Sequence, residues 1–165
     1  MLRQRCREGP ARLQAPGKGD LAVSRLRVLV ADDHAATLRE VAGLLEPSFD
    51  VVACVSNGRT LVEAAGALLP DVIVSDITMP ELDGITAARQ ILRFAPCAKV
   101  LFLTVHSSPQ LVEAGLAAGA SGYVLKSSAV EDLVTAIQQV SAGERFISFI
   151  PSLGQGPVRS NPQQW

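Results

Sequence analysis

The sequence predicts an α/β fold in which a five-stranded parallel sheet is covered by helices on both faces. Short apolar runs alternate with amphipathic helical patterns five times within about 120 residues, which is typical of a doubly wound sheet. Hydrophobic residues make up 48% of the chain and aromatic residues only 4%, so the core must consist of Val, Leu, Ile and Ala. Aliphatic cores of this kind are usual where a parallel sheet is buried on both faces.

The five predicted strands are short apolar runs that end in polar residues. Val and Ile, which favour extended backbone, are frequent in these runs. The segments between them are long enough for crossover helices, so neighbouring strands are predicted to be parallel. The runs are LRVLVADD from Leu26, DVVACVSN from Asp50, DVIVSD from Asp71, KVLFLTV from Lys99 and GYVLK from Gly122.

The first three helices are predicted from apolar residues that recur with helical spacing. After the first strand, Leu38, Val41 and Leu45 fall on one helical face. The second helix is predicted over about residues 58–69 and the third over about residues 83–95, just before a proline.

The last two helices carry start and stop signals. Ser108 and Pro109 match a serine N-cap followed by proline at the first helical position, and Gly119 supplies a left-handed residue at the helix end. Residues 128–131 match a capping box that opens the fifth helix. The residues of that helix that are predicted to face the core are Val130, Leu133, Val134, Ile137 and Val140.

Polar side chains stand at the carboxyl ends of four predicted strands. The first strand ends in Asp32 and Asp33, and the third ends in Asp76. The fourth strand ends in Thr104 and the fifth in Lys126. Ligands of doubly wound sheets bind beyond the carboxyl ends of the strands, so these five side chains are predicted to converge on one edge.

Each of these residues taken alone has an ordinary explanation, but their combination indicates phosphoryl chemistry. Asp33 could cap the first helix, Thr104 could be a common strand threonine, and Lys126 could be a solvated charge. Three crowded acids repel one another, however, and Mg²⁺ binds carboxylates, water and a phosphate oxygen together. The lysine and threonine would hold further phosphoryl oxygens, while Asp76 is placed to act as the nucleophile.

Four sequence blocks resemble a known family. VLVADDH, DVIVSDITMPELDG, LFLTVH and GYVLKSS are similar to the blocks of the receiver domain of bacterial two-component response regulators. The resemblance covers residues 26–147 and is closest to receivers whose output is a LuxR-type helix-turn-helix. It implies a flavodoxin-like sheet with strand order 2-1-3-4-5 and five helices.

The resemblance also implies a role for each acid. Asp76 would accept a phosphoryl group from the phosphohistidine of a sensor histidine kinase. Asp32 and Asp33 would hold Mg²⁺ together with Asp76 and the backbone carbonyl of Thr78. The chain would then promote only its own phosphorylation and dephosphorylation, and would not be an enzyme in the usual sense.

The remaining site residues are implied to read out the phosphorylation state. Thr104 and Lys126 would bind the phosphoryl oxygens, and Tyr123 matches the family's switch aromatic. The switched surface is expected on the fourth helix, fifth strand and fifth helix, where a homodimer or another partner would bind. Its candidate polar contacts are Gln110, Glu113, Glu131, Asp132, Gln138 and Gln139.

Four residues beside the reacting groups are expected to modulate the site. Val105 follows the threonine where a small residue is common, so its methyl groups are expected to narrow access to the aspartate. Thr78 and His106 are placed where water would approach an acyl phosphate and are hypothesised to tune its lifetime, with an exposed loop histidine as the alternative for His106. Ser127 stands where proline is common, which leaves the isomer of the Lys126–Ser127 bond open.

The chain divides into a receiver and two flanking segments. Residues 1–25 are basic and are expected to be a disordered leader. Residues 148–165, rich in proline and glycine, are expected to be a disordered tail without an output domain or a DNA-reading element. A stand-alone receiver, a truncated regulator and an isolated domain all fit this pattern.

Composition argues against several other classes. The net charge of −1 gives no general reason to bind nucleic acid or an anionic membrane, and no apolar stretch approaches the ~20 residues of a membrane helix. The three cysteines lack metal-ligand spacing and are expected to be reduced thiols of a cytoplasmic protein, with Cys54 in a core strand.

Three other functions are alternatives to the receiver. A haloacid-dehalogenase-type phosphatase needs an acid two residues after its nucleophile, where this chain has Thr78. A flavodoxin needs hydroxyls and amides around a flavin phosphate, which Asp32 and Asp33 would repel. A pseudo-receiver, which binds partners without phosphorylation, is the remaining alternative.

Overall fold

The computed structural model describes residues 24–148, and these form alternating strands and helices. The strands are β1 (Arg27–Ala31), β2 (Asp50–Val55), β3 (Val72–Ser75), β4 (Lys99–Thr104), β5 (Gly122–Leu125) and β6 (Phe146–Ile147). The helices are α1 (Ala35–Leu45), α2 (Gly58–Leu68), α3 (Gly84–Phe94), α4 (Pro109–Ala117) and α5 (Ala129–Ser141), with a 3₁₀ turn at Lys126–Ser128 before α5.

The six strands form one parallel sheet in the order β2-β1-β3-β4-β5-β6. The predicted strand order 2-1-3-4-5 and the five helices are therefore confirmed. The structure adds β6, whose ladder to β5 includes bonds from Phe146 N to the Ser121 oxygen (3.3 Å) and from Ser148 N to the Tyr123 oxygen (2.9 Å). Two residues are too few to give a strand pattern in the sequence, so β6 was not predicted.

The sheet separates two apolar clusters because successive residues of a strand face opposite sides. Leu29 and Ile73 pack in the cluster beneath α2, α3 and α4, whereas Val28 and Val72 pack beneath α1 and α5. All four side chains are fully buried. This double cover leaves the carboxyl edge of the strands as the place where polar side chains meet.

Two predictions about burial were wrong. Val130 was predicted to face the core but is 76% exposed, and Ser128 makes no capping hydrogen bond. The 3₁₀ turn just before α5 replaces the expected capping box, and the buried face begins at Leu133 instead. Cys54 is exposed because β2 is the edge strand of the sheet.

The two predicted flanking segments fall largely outside the described residues. The predicted disordered leader falls largely outside the described residues, although Arg25 donates to the Glu46 carbonyl oxygen at 2.6 Å. The predicted tail also falls outside them except for Ser148, which is 1% exposed and donates from its hydroxyl to Asp132 at 2.7 Å. Within residues 24–148, no helix combines the length and apolarity that crossing a bilayer requires.

The loop from β3 to α3 is tightly folded around a glycine. A Cβ atom at Gly84 would lie 2.0 Å from the backbone oxygen of Asp76, so a side chain at this position would displace the loop. The Gly84 N–H donates to the Ile77 oxygen at 2.7 Å, and Asp83 caps α3 by accepting from Thr86 N at 2.9 Å. These contacts fix the backbone that carries Asp76.

Candidate functional site

Two buried acids lie side by side at the carboxyl edge of the sheet. Asp32 follows β1 and Asp76 follows β3, the strand that neighbours β1. Asp32 is 2% exposed and Asp76 is 6% exposed, and the Asp76 N–H donates to the Ala31 oxygen at 2.8 Å. Carboxylates buried this deeply require compensation by hydrogen bonds or opposite charge.

Lys126 supplies the compensating charge. Its Nζ lies 2.5 Å from Asp32 Oδ2 and 2.8 Å from Asp76 Oδ2, and its side chain is 18% exposed. Burial alone would lower the pKa of this ammonium, but its hydrogen bonds with Asp32 and Asp76 outweigh burial and raise the pKa. The lysine is therefore part of the site and not a solvated charge.

The Asp76 carboxylate is held at both oxygens. Oδ1 accepts the N–H of Ile77 at 2.6 Å, and Oδ2 faces Lys126. The hydroxyl of the preceding Ser75 donates to the Asp76 carbonyl oxygen at 2.8 Å. Both the side chain and the backbone of this acid are thus fixed at the edge of the sheet.

The loop after β4 connects the other predicted site residues through His106. Thr104 is fully buried, and its hydroxyl oxygen accepts the His106 N–H at 3.3 Å. The His106 ring Nε2 lies 3.0 Å from the Thr78 hydroxyl, and the His106 carbonyl accepts the Tyr123 hydroxyl at 2.7 Å. His106 therefore contacts all three residues and is not simply an exposed loop histidine.

Tyr123 is fully buried in this arrangement. Burial, together with the negative charge of Asp76, raises the pKa of its phenol to about 12. The ring is buried, and its hydroxyl donates to the His106 carbonyl in the loop after β4. A solvent-exposed position of the ring would therefore belong to another conformation of the chain.

The two other predicted modulators lie at the surface. Val105 is 69% exposed and Ser127 is also exposed. The Lys126–Ser127 peptide bond is trans, as is every other peptide bond in the part of the chain that the structure describes.

One residue of the site was missed in the sequence. The Nδ1 atom of His34 lies 2.8 Å from Asp33 Oδ1 and 3.4 Å from Asp32 Oδ1. The available signal was its position directly after the acid pair, where α1 begins at Ala35 and a capping residue would be expected. Asp33, by contrast, does not cap α1, whose N-cap is His34.

The acid cluster fits an oxygen-binding cation. Ligand atoms of Asp32, Asp33 and His34 all lie within 4.8 Å of one another, and Asp76 shares Lys126 with Asp32. Asp32 Oδ2 is buried and, among the described residues, has the Lys126 ammonium as its charge partner but no other hydrogen-bond donor. Mg²⁺ prefers carboxylate oxygens, so a divalent cation bound by these acids would share or replace the charge that Lys126 supplies to Asp32.

A parallel α/β sheet with paired acids, a third acid, a lysine and a hydroxyl residue along its carboxyl edge defines the receiver class of signalling domains. Residues 28–138 match the family of the response regulator receiver domain, so the chain belongs to this family.

Relatives from several bacteria support the assignment. The transcriptional regulatory protein DegU of Brevibacillus brevis is 36% identical over 126 residues, which cover 75% of this chain and 53% of DegU. The response regulator GacA of Pseudomonas aeruginosa is 36% identical over 132 residues, which cover 79% of this chain and 61% of GacA. The chain thus spans little more than half the length of these relatives.

Solved structures agree with the sequence relatives. The isolated receiver domain of RcsB from Salmonella enterica serovar Typhimurium, solved with the phosphomimetic BeF3−, has a TM-score of 0.72 and 29% identity, covering 79% of this chain and 98% of that one. A LuxR-family response regulator from Aurantimonas has a TM-score of 0.73 and 34% identity, covering 80% of this chain and 94% of that one. The predicted resemblance to receivers of LuxR-type regulators is confirmed.

Proposed function

We propose that this chain accepts a phosphoryl group on Asp76 and signals its phosphorylation state through a protein-interaction surface. The observation that carries the proposal is the buried Asp76 carboxylate, which Lys126 joins to Asp32. The donor is the phosphohistidine of a sensor histidine kinase, and the expected location is the cytoplasm.

The transfer needs only an exchange of bonds at phosphorus. A carboxylate oxygen of Asp76 attacks, the phosphorus–nitrogen bond breaks, and its electron pair returns to the imidazole of the donor. Lys126, already 2.8 Å from Asp76, and Thr104 hold phosphoryl oxygens. Because the acceptor is part of the chain itself, the chain signals and does not turn over a substrate.

Mg²⁺ is the proposed cofactor. Asp32, Asp33 and Asp76 would hold it, together with the backbone carbonyl of Thr78. When bound, it would neutralise charge on the acids and on the phosphoryl oxygens.

Incubation with acetyl phosphate tests the proposed function. Intact mass should show one phosphate adduct in the presence of Mg²⁺ and none in the presence of EDTA. Absence of an adduct in both conditions would favour the pseudo-receiver.

The donor has a candidate docking surface beside the site. A cavity of about 270 Å³ lies between α1 and the start of α5, lined by apolar side chains together with Lys126, Thr37 and Glu40. Val130, the residue wrongly predicted to face the core, is exposed on its rim. We place the kinase contact here because an apolar surface next to the acceptor would position the phosphohistidine.

The proposed output surface differs from the predicted one in the strand that it contains. β5 is covered by β6, so the exposed surface consists of α4, β6 and α5. Of the six predicted polar contacts, Asp132 bonds to Ser148 and Gln139 is half-buried, while the other four are exposed. Dimers or other partners are proposed to bind here.

Replacing Thr104 should uncouple this surface from the site. Phosphorylation is expected to draw the Thr104 hydroxyl away from His106 N, which would loosen the loop that also holds Tyr123. Coupling of this kind typically changes the affinity of self-association or of partner binding by about 5- to 150-fold. Sedimentation with and without beryllofluoride should show this change in wild type but not in Thr104→Ala. Identical self-association and partner binding in both wild-type states would contradict the switch.

Removing the Thr78–His106 contact should shorten the lifetime of the phosphorylated form. This hydrogen bond joins the loops after β3 and β4, and it would obstruct the approach of water to Asp76. Losing one hydrogen bond of typical strength corresponds to a hydrolysis rate about 2- to 10-fold higher.

The lifetime can be measured as decay of the phosphate adduct by intact mass after acetyl phosphate is removed. Thr78→Val and His106→Ala should decay faster than wild type and at similar rates, because each removes the same bond. Thr135→Val is the matched control, since it makes the same change at an exposed position of α5 and should leave decay within about twofold. Faster decay in Val105→Ala, with Thr78→Val and His106→Ala unchanged, would instead support the predicted role of Val105.

A further inference from the structure

The side chain of His34 does not serve the helix that it begins. His34 is the N-cap of α1, and its carbonyl accepts the Leu38 N–H at 3.0 Å, but its ring makes no capping hydrogen bond. Ser, Thr, Asp and Asn are the residues that stabilise a helix at this position. The ring points back to the acid pair, which suggests a role outside the helix.

The ring nitrogen contacts one oxygen of each acid. Nδ1 lies 2.8 Å from Asp33 Oδ1 and 3.4 Å from Asp32 Oδ1, and the backbone N–H of His34 donates to the same Asp32 oxygen at 2.9 Å. Carboxylates only accept hydrogen bonds, so Nδ1 must carry the hydrogen that it shares with them. One residue thus holds the Oδ1 atoms of both acids.

His34 does not contact the second oxygen of either carboxylate. Asp32 Oδ2 already faces the Lys126 ammonium at 2.5 Å. Within residues 24–148, His34 is the ion-pair partner of the Asp33 carboxylate, whose side chain is 32% exposed. Without this contact, the Asp33 side chain would be free to turn into solvent, away from the like charge of Asp32.

We propose that His34 is a positioning residue for the cation site, holding Asp32 and Asp33 so that their second oxygens face the same point. The inference rests on the proposed function, because it concerns the same Mg²⁺. It adds a residue that lies outside the acid, lysine and threonine set. The ring is 71% exposed, so its contribution is expected at the low end for residues that orient metal ligands.

Mg²⁺ binding by calorimetry, at one pH and one ionic strength, tests the proposal. His34→Ala should weaken binding about 3- to 10-fold. His34→Asn carries an amide N–H close to the position of Nδ1 and should restore affinity to within about twofold of wild type. His34→Gln carries its amide at the position of Nε2 and should behave like His34→Ala. Arg39→Ala, exposed on the same helix, is the control and should bind like wild type.

The outcomes separate this inference from the proposed function. If wild type does not bind Mg²⁺, the proposed function fails and the inference fails with it. If wild type binds and His34→Ala binds equally well, only the positioning role is overturned. It is also overturned if His34→Asn fails to recover affinity, or if Zn²⁺ affinity falls far more than Mg²⁺ affinity in His34→Ala, which would make the ring a ligand. Melting curves in EDTA separate folding defects from metal effects.

Discussion

Asp76→Asn is expected to abolish the phosphate adduct completely. The amide has nearly the same shape as the carboxylate, but it lacks the charge and the nucleophilic oxygen that the transfer requires. Asp76 lies at the end of a buried strand with both carboxylate oxygens in contact, so another acid cannot take over its place without moving the backbone. The predicted effect is all or none.

The measurement is intact mass after incubation with acetyl phosphate and Mg²⁺. Wild type should gain one phosphate that hydroxylamine removes, as it does from acyl phosphates. Asp83→Asn is a matched control, because Asp83 is an exposed acid of the same loop and Asn also caps helices well. This control should keep the adduct. A phosphate that persists on Asp76→Asn would place the acceptor elsewhere and overturn the assignment.

The acids, hydroxyl and lysine could be predicted because parallel strands bring their carboxyl ends to one edge. The sequence therefore identified Asp76 and Lys126 as neighbours although they are 50 residues apart. It could not show that the lysine bridges two carboxylates, because that depends on the rotamer of a long side chain. Nor could it pair Thr78 with His106, since each lies in a loop with no repeating pattern.

The errors in the fold also have local causes. Val130 carried the expected helical spacing, but it lies in the first turn of α5 directly after the 3₁₀ turn, and the predicted buried face begins only at Leu133. Cys54 lies in an apolar strand at the edge of the sheet. The predicted strand order already put β2 at the edge, but the apolar pattern of the strand does not show which of its side chains are exposed there. β6 is defined by its partner β5, and a two-residue strand has no signal of its own.

Lys126→Met is expected to destabilise the metal-free protein by about 3 kcal/mol, the lower end for breaking a buried ion pair. Methionine keeps the length of the side chain but removes the charge, so Asp32 and Asp76 would lie buried without a counter-ion. The sequence alone suggested that repulsion already destabilises the empty site. The structure shows instead that Lys126 relieves it.

Mg²⁺ should therefore rescue the variant, since a second cation can take over the charge of the lysine. Binding only to the folded state stabilises it by about 2.7 kcal/mol at 100 times the dissociation constant. We expect the melting temperature of Lys126→Met to rise more with Mg²⁺ than that of wild type, while phosphorylation stays impaired because a phosphoryl ligand is missing. An equal rise in both proteins would argue against replacement of the lysine by the cation.

The pH dependence provides a second check on the same variant. The pKa of Lys126 is raised in the folded state. Its contribution to the free energy of unfolding is therefore complete below the pKa of the unfolded state, about 10.4, and is lost as pH rises through the pKa of the folded state. The stability difference between wild type and Lys126→Met should be constant from about pH 7 to 9 and should shrink only in stronger alkali.

A control variant distinguishes this buried ammonium from an ordinary surface charge. Arg59→Met removes a cation that is 3.3 Å from Glu81, but both of these side chains are more than half exposed. Exposed pairs contribute about 0.2–1 kcal/mol, so chemical denaturation should show a small loss that does not respond to Mg²⁺. If the two variants lose the same stability, the Lys126 bridge has no special role in the fold. If only Lys126→Met loses several times more and recovers with Mg²⁺, the ammonium and the metal act on the same pair of acids.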